Sequence, residues 1–214
     1  MPAGKVVLEG DLTVPENAEG LVLFAHGSGS SRHSPRNRYV AKVLNEYGFA
    51  TLLADLLTAE EEVVDQKTRH LRFNIPLLAE RLEGITQWVK NNAGTARLAL
   101  GYFGASTGAA AALMAAARQG DIVKAVVSRG GRPDLAGDFL PVVKAPTLLI
   151  VGGHDPEVLA LNRQALGKLN PQSTLHIIPG ATHLFEEAGT LESAAQTAAE
   201  WFKEHMGRHH AKKI

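Results

Sequence analysis

Cysteine is absent from the 214 residues. Its absence excludes disulfides, thiolate metal sites and a thiol nucleophile. An excess of charge of one sign is missing as well: Lys+Arg number 22 and so do Asp+Glu. Neither a nucleic-acid partner nor an acidic tail is expected from that balance. Long apolar runs are also lacking. The richest stretch, 95–117, is broken by Arg97 and by Gly101, Gly104 and Gly108, and it carries Ser106 and Thr107. It reads as a buried strand, turn and helix, so no membrane partner is expected. Residues Met1 to Lys5 hold no hydrophobic signal core, which makes a cytoplasmic location the default. A complete dinucleotide fingerprint is missing too. Gly27 and Gly29 follow an apolar run and Asp55 ends the next one, but Arg32 stands where the third glycine belongs. The loop also continues to Pro35, so no helix begins at the glycines to hold a pyrophosphate. No metal and no organic cofactor is implied.

What remains is an ordinary globular composition, 45% hydrophobic and 21% charged. A chain of this length buries roughly 70% of its unfolded surface and suits one α/β domain. One domain is expected over residues 1–206, with 207–214 as a frayed tail. Continuous apolar runs recur at 21–25, 50–54, 98–103, 123–127, 147–151 and 175–178. Runs without alternation suit strands covered on both faces. Helical faces lie between them: Leu78, Leu82, Ile85 and Val89 on one, and Leu191, Ala194, Ala195, Ala198, Trp201 and Phe202 on another. Strands alternating with helices predict a mostly parallel central sheet with helices on both faces. Val6–Leu8 and Leu12–Val14 read as a short antiparallel pair at its edge. In such sheets ligands bind beyond the carboxyl ends of the strands.

Gly104, Ser106 and Gly108 form G-x-S-x-G between the run at 98–103 and the alanine-rich stretch 109–117. A sharp strand-to-helix turn strains the serine backbone and lifts its hydroxyl above the sheet. Side chains at the flanking positions would collide with neighbouring elements, so both are glycine. Asp155 follows the run at 147–151, and His183 follows the run at 175–178. Alone, Asp155 would read as a helix cap before Pro156, and His183 as a solvated loop residue. Together, the order Ser, Asp, His at successive strand ends is the order of the α/β-hydrolase fold. His183 would take the serine proton as Asp155 holds its tautomer. His26 reads as structural.

The oxyanion donors expected are the backbone N–H groups of Thr107 and Ser28. Arg32, Arg129 and Arg132 belong at the carboxyl edge. They either hold a substrate anion or pair with acids such as Asp55, Glu60, Glu61 or Asp134. The stretch between Ser128 and Thr147 is too short for a lid domain, which predicts an open site.

These pieces resemble the compact dienelactone-hydrolase-like branch of the α/β-hydrolases. The resemblance rests on residues 26–32, 53–58, 101–109, 127–134 and 180–183 and spans nearly the whole chain. It implies hydrolysis of a small ester, lactone or related acyl substrate through an acyl-enzyme. The family's dienelactone hydrolases use cysteine where this chain has Ser106, which counts against dienelactone itself. An acyltransferase would use the same residues. A catalytically silent binding protein on the scaffold would not need all three.

Overall fold

A computed structural model describes residues 1–207; the tail expected from 207 onward otherwise lies outside the described residues. In chain order the elements are β1 (Pro2–Ala3), β2 (Val6–Val7), β3 (Gly10–Thr13), β4 (Gly20–Ala25), α1 (Pro35–Glu46), β5 (Phe49–Ala54), α2 (Ala59–Thr68), α3 (Ile75–Asn91), β6 (Ala99–Ala105), α4 (Thr107–Gln119), β7 (Val123–Arg129), β8 (Thr147–Gly152), α5 (Pro156–Leu166), β9 (Thr174–Ile178) and α6 (Thr190–Met206). A seven-stranded sheet runs β3-β5-β4-β6-β7-β8-β9. Only the β3–β5 pairing in it is antiparallel. This is the mostly parallel, two-sided sheet that the apolar runs predict, without an inserted lid domain.

Alternation along β4 shows how both faces are filled. Leu21, Leu23 and Ala25 join a core with α3 and α4. Val22 and Phe24 join a second core with α1 and α6. Each fully buried Leu or Phe contributes about 1.5–3 kcal/mol through removal from water. Phe24 and Phe103, neighbours across β4 and β6, lie 4.8 Å apart by ring centroid.

Two expectations need correction. The pair Val6–Leu8 with Leu12–Val14 does not form. Val6–Val7 pairs instead with Pro2–Ala3, and Gly10–Thr13 pairs with β5. The run at 175–178 is not covered on both faces: β9 is an edge strand whose Thr174, His176 and Ile177 face outward. The polar loop after β4 ends at Ser34, whose side chain accepts from Asn37 N–H to cap α1, with Pro35 in the first turn. Asn37, Val40, Ala41 and Leu44 form the buried face of that helix. Helix α2 likewise has a capping box, Thr58 Oγ1 accepting from Glu61 N–H and Glu61 Oε2 accepting from Thr58 N–H.

Candidate active site

Ser106 is the turn between β6 and α4. Its φ of 50° and ψ of −123° lie where L-residues are strained, at a cost of order 1–3 kcal/mol. The same angles recur at Gly120 and Gly137, where glycine carries no such cost. A Cβ at Gly108 would sit 2.2 Å from Ala25 O and 2.4 Å from His26 O, and one at Gly104 would sit 2.4 Å from Ala109 Cα. The two flanking glycines therefore let α4 close onto β4 and β6. Because those obstacles are backbone atoms, Gly108→Ala is expected to lose about 3 kcal/mol or more. Thermal unfolding should show a fall of about 6–12 °C in Tm for that loss.

The turn is held from outside. Ser106 N–H donates to Arg129 O at 3.3 Å, and Ser106 O accepts from Arg132 N–H at 3.1 Å. Asn162, fully buried on α5, donates through Nδ2 to Gly131 O at 2.9 Å. That amide fixes the 130–132 loop over the serine turn.

The loops bearing Asp155 and His183 are joined by backbone. Gly153 N–H donates to Ile178 O and His154 N–H to Ala181 O, each at 2.9 Å. Gly152 has no room for a Cβ, which would meet Ala181 O at 2.3 Å. His183 Nδ1 lies 2.7 Å from Asp155 Oδ2. Asp155 stands at the start of α5 but makes no side-chain cap bond, so its carboxylate serves the imidazole rather than the helix. On the far side of His183, Glu187 accepts from Thr182 N–H at 3.0 Å and from Thr182 Oγ1 at 2.7 Å. The Thr182 hydroxyl and backbone bonds hold the Glu187 carboxyl below its usual range.

Ser106 and His183 line one cavity of about 250 Å³, together with Ser28, Asn37 and Arg129. A larger cavity, about 630 Å³, shares Ser30 and Ser34 with it but is walled by Glu9, Arg32, Asp55 and Glu60 and does not reach Ser106. His26 sits below the loop between the two. Leu56 N–H donates to its Nε2 at 3.1 Å, so the ring proton belongs on Nδ1, 3.0 Å from Gly27 O. Burial holds His26 below the usual histidine range. Its role is to brace the loop, as expected.

The remaining candidates divide. Thr107 opens α4, and its N–H is one of the unpaired amides of a helix N-terminus. Ser28 N–H is not open as expected, because it donates to Thr107 Oγ1 at 2.9 Å. Of the two alternatives for Arg32 and Arg132, the structure shows the pairing with acids. Arg32 pairs with Asp55 and, at 2.6 Å, with Glu9. Arg132 is bound by both oxygens of Asp134, at 2.9 and 2.8 Å. Among the described residues Arg129 has no such acid. Asn37 and Arg36, from the basic stretch expected near the site, line the same cavity but are carried on α1 rather than on a loop. The Ser34-Pro35 cap and the 37, 40, 41, 44 spacing are the signals that would have found them. Among the described residues no group of three or more His, Asp or Glu is arranged to hold a metal. None of their helices is long and apolar enough to cross a membrane.

A strained serine at a strand-to-helix turn, on a sheet of this order, defines the α/β-hydrolase fold. The chain belongs to the dienelactone hydrolase family, whose profile matches residues 8–209. It is similar to the crystal structure of a dienelactone hydrolase from Anabaena variabilis, with 61% identity and a TM-score of 0.94 over 96% of this chain and 95% of that one. Est1E from Butyrivibrio proteoclasticus has a similar fold, with a TM-score of 0.77 at 18% identity over 92% of this chain and 94% of that one. Two Mycobacterium tuberculosis proteins, provisionally named phosphoribosyl transferases, are 60% identical over 204 residues. Those residues are 95% of this chain and 45% of theirs, so the chain spans about half the length of these relatives.

Proposed function

We propose that the chain hydrolyses small carboxylic esters or lactones through Ser106, His183 and Asp155. One observation carries the reading: a serine in a strained turn faces the same cavity as an imidazole whose other nitrogen is bonded to a carboxylate. In the reaction, Ser106 Oγ attacks the acyl carbon as its proton passes to His183 Nε2. The carbonyl electron pair moves onto oxygen, where Thr107 N–H meets it. Each such donor supplies about 3 kcal/mol. The alkoxide then leaves with the proton from Nε2. Water repeats the sequence on the acyl-enzyme and frees the acid. Asp155 keeps the proton on Nδ1 throughout, so that Nε2 is the base.

The name of the Anabaena relative supports ester or lactone chemistry, since a lactone is an ester whose two halves stay tethered. The transferase name belongs to proteins of which the match covers 45%, and the site described above has no part that calls for it.

A fluorophosphonate probe tests the reading. It should label Ser106, as located by peptide mapping, and labelling should vanish in Ser106→Ala and His183→Ala. Folded protein that stays unlabelled would overturn it.

A further inference from the structure

Helix α2 is built the wrong way round for a helix lying on a core. The buried faces of α1, α3 and α6 carry Val40 and Leu44, Leu78 and Ile85, and Ala198 and Phe202. On α2 the one buried residue is Asp65. Its two large apolar residues, Val63 and Val64, are 58% and 48% exposed. A surface helix turns its apolar stripe to the core. Here the stripe points away from it.

Polar bonds lock that orientation. Asp65 Oδ1 accepts from Leu71 N–H at 2.7 Å and from Arg72 N–H at 3.2 Å, and its Oδ2 accepts from Arg72 Nε. Glu61 Oε1 accepts from Arg81 Nη2 at 2.7 Å, and Glu61 also closes the capping box with Thr58. Turning the valines inward would strip Asp65 of these partners, and breaking a buried pair is costly.

The outward face has a charge pattern of its own. Glu60, Val63, Val64 and Lys67 are spaced i, i+3, i+4 and i+7, which puts them on one side of the helix, and all four are exposed. Neither Glu60 nor Lys67 has an ion-pair partner among the described residues. The stripe is therefore acidic at one end, apolar in the middle and basic at the other. Such a surface is complementary to itself when reversed. A two-fold axis between residues 63 and 64, at the middle of Ala59–Thr68, sets Val63 against the partner's Val64 and Glu60 against the partner's Lys67. The same contacts recur in the opposite sense, as an isologous interface requires.

We propose that α2 is the docking face for a second copy of this chain, the two helices packing antiparallel about that axis. A helix of 10 residues spans about 15 Å, so the contact is small and the dimer reversible. The same helix walls the cavity of about 630 Å³ through Ala59, Glu60 and Glu62. Dimerisation thus brings the partner's Lys67 to the rim of that cavity.

Sedimentation equilibrium on the full chain tests the proposal. The average mass should rise from that of one chain towards that of two between about 1 and 500 μM, the range of a small interface. Val64→Glu places two carboxylates beside the axis and should weaken association by about a hundredfold or more. Its Tm should hardly move, because the position is exposed and glutamate suits a helix. Glu60→Lys and Lys67→Glu each set like charges face to face and should each weaken association by about fivefold or more. Glu60→Lys/Lys67→Glu restores opposite charges and should return to within about threefold of the wild type. A single-chain mass at every concentration, or a dimer indifferent to Val64→Glu, would overturn the proposal. A double variant no better than the single ones would overturn the antiparallel pairing. Monomeric protein that binds phosphatidylcholine vesicles, and loses them in Val64→Glu, would give the face to a lipid surface and overturn it as well.

Discussion

Ser106→Ala is expected to lower kcat on p-nitrophenyl acetate by about 10⁵-fold with little change in KM. The substitution removes the oxygen that forms the acyl-enzyme and leaves Thr107 N–H and the cavity in place. The remaining acceleration over water is then what positioning and the oxyanion donor supply. Because the three side chains act as a unit, Ser106→Ala/His183→Ala should be no slower than Ser106→Ala. Stability gives an independent reading of the same residue. Alanine at φ 50° is strained as serine is, whereas glycine is not. Ser106→Gly should therefore unfold at a higher temperature than Ser106→Ala while being equally inactive. More than about a hundredth of wild-type activity in either variant would mean that another group does the chemistry.

The parts of this site that were legible in the sequence are those whose cause is local. Gly104 and Gly108 announce a turn that no side chain can enter, and the structure gives the colliding atoms. Asp155 and His183 were found by counting strand ends, because a parallel sheet gathers those ends on one rim whatever the intervening helices do. Arg132 meets Asp134 two residues away, a pairing close enough in the chain to be legible. Arg32 is different: its partners Glu9 and Asp55 come from separate strands, and only the assembled sheet brings them together. The strand β7 runs two residues further than its apolar stretch, so the run at 123–127 gives no sign that Arg129 is buried. Short pairings such as Pro2–Ala3 with Val6–Val7 have too few residues to carry a pattern of their own. Asn37 was hidden because a polar residue on a helix start looks like a solvated one until the capping serine before it is counted.

Asp155→Asn is expected to lower kcat/KM by about 10⁴-fold while leaving Tm nearly unchanged. The carboxylate makes no cap bond to α5, so the helix loses no hydrogen bond when an amide replaces it. What changes is the proton on the imidazole. Asp155 Oδ2, 2.7 Å from His183 Nδ1, can only accept, which puts the hydrogen on Nδ1 and leaves Nε2 free as a base. An asparagine amide can instead donate to Nδ1. The ring then carries its hydrogen on Nε2 and has nothing with which to take the serine proton. Fluorophosphonate labelling should slow by the same factor as ester hydrolysis, because both need an activated Oγ. A purely structural Asp155 would behave in the opposite way, with a lower Tm and labelling that stays fast in the folded fraction. The two measurements together decide whether the aspartate acts on the chemistry through His183 or only on the fold.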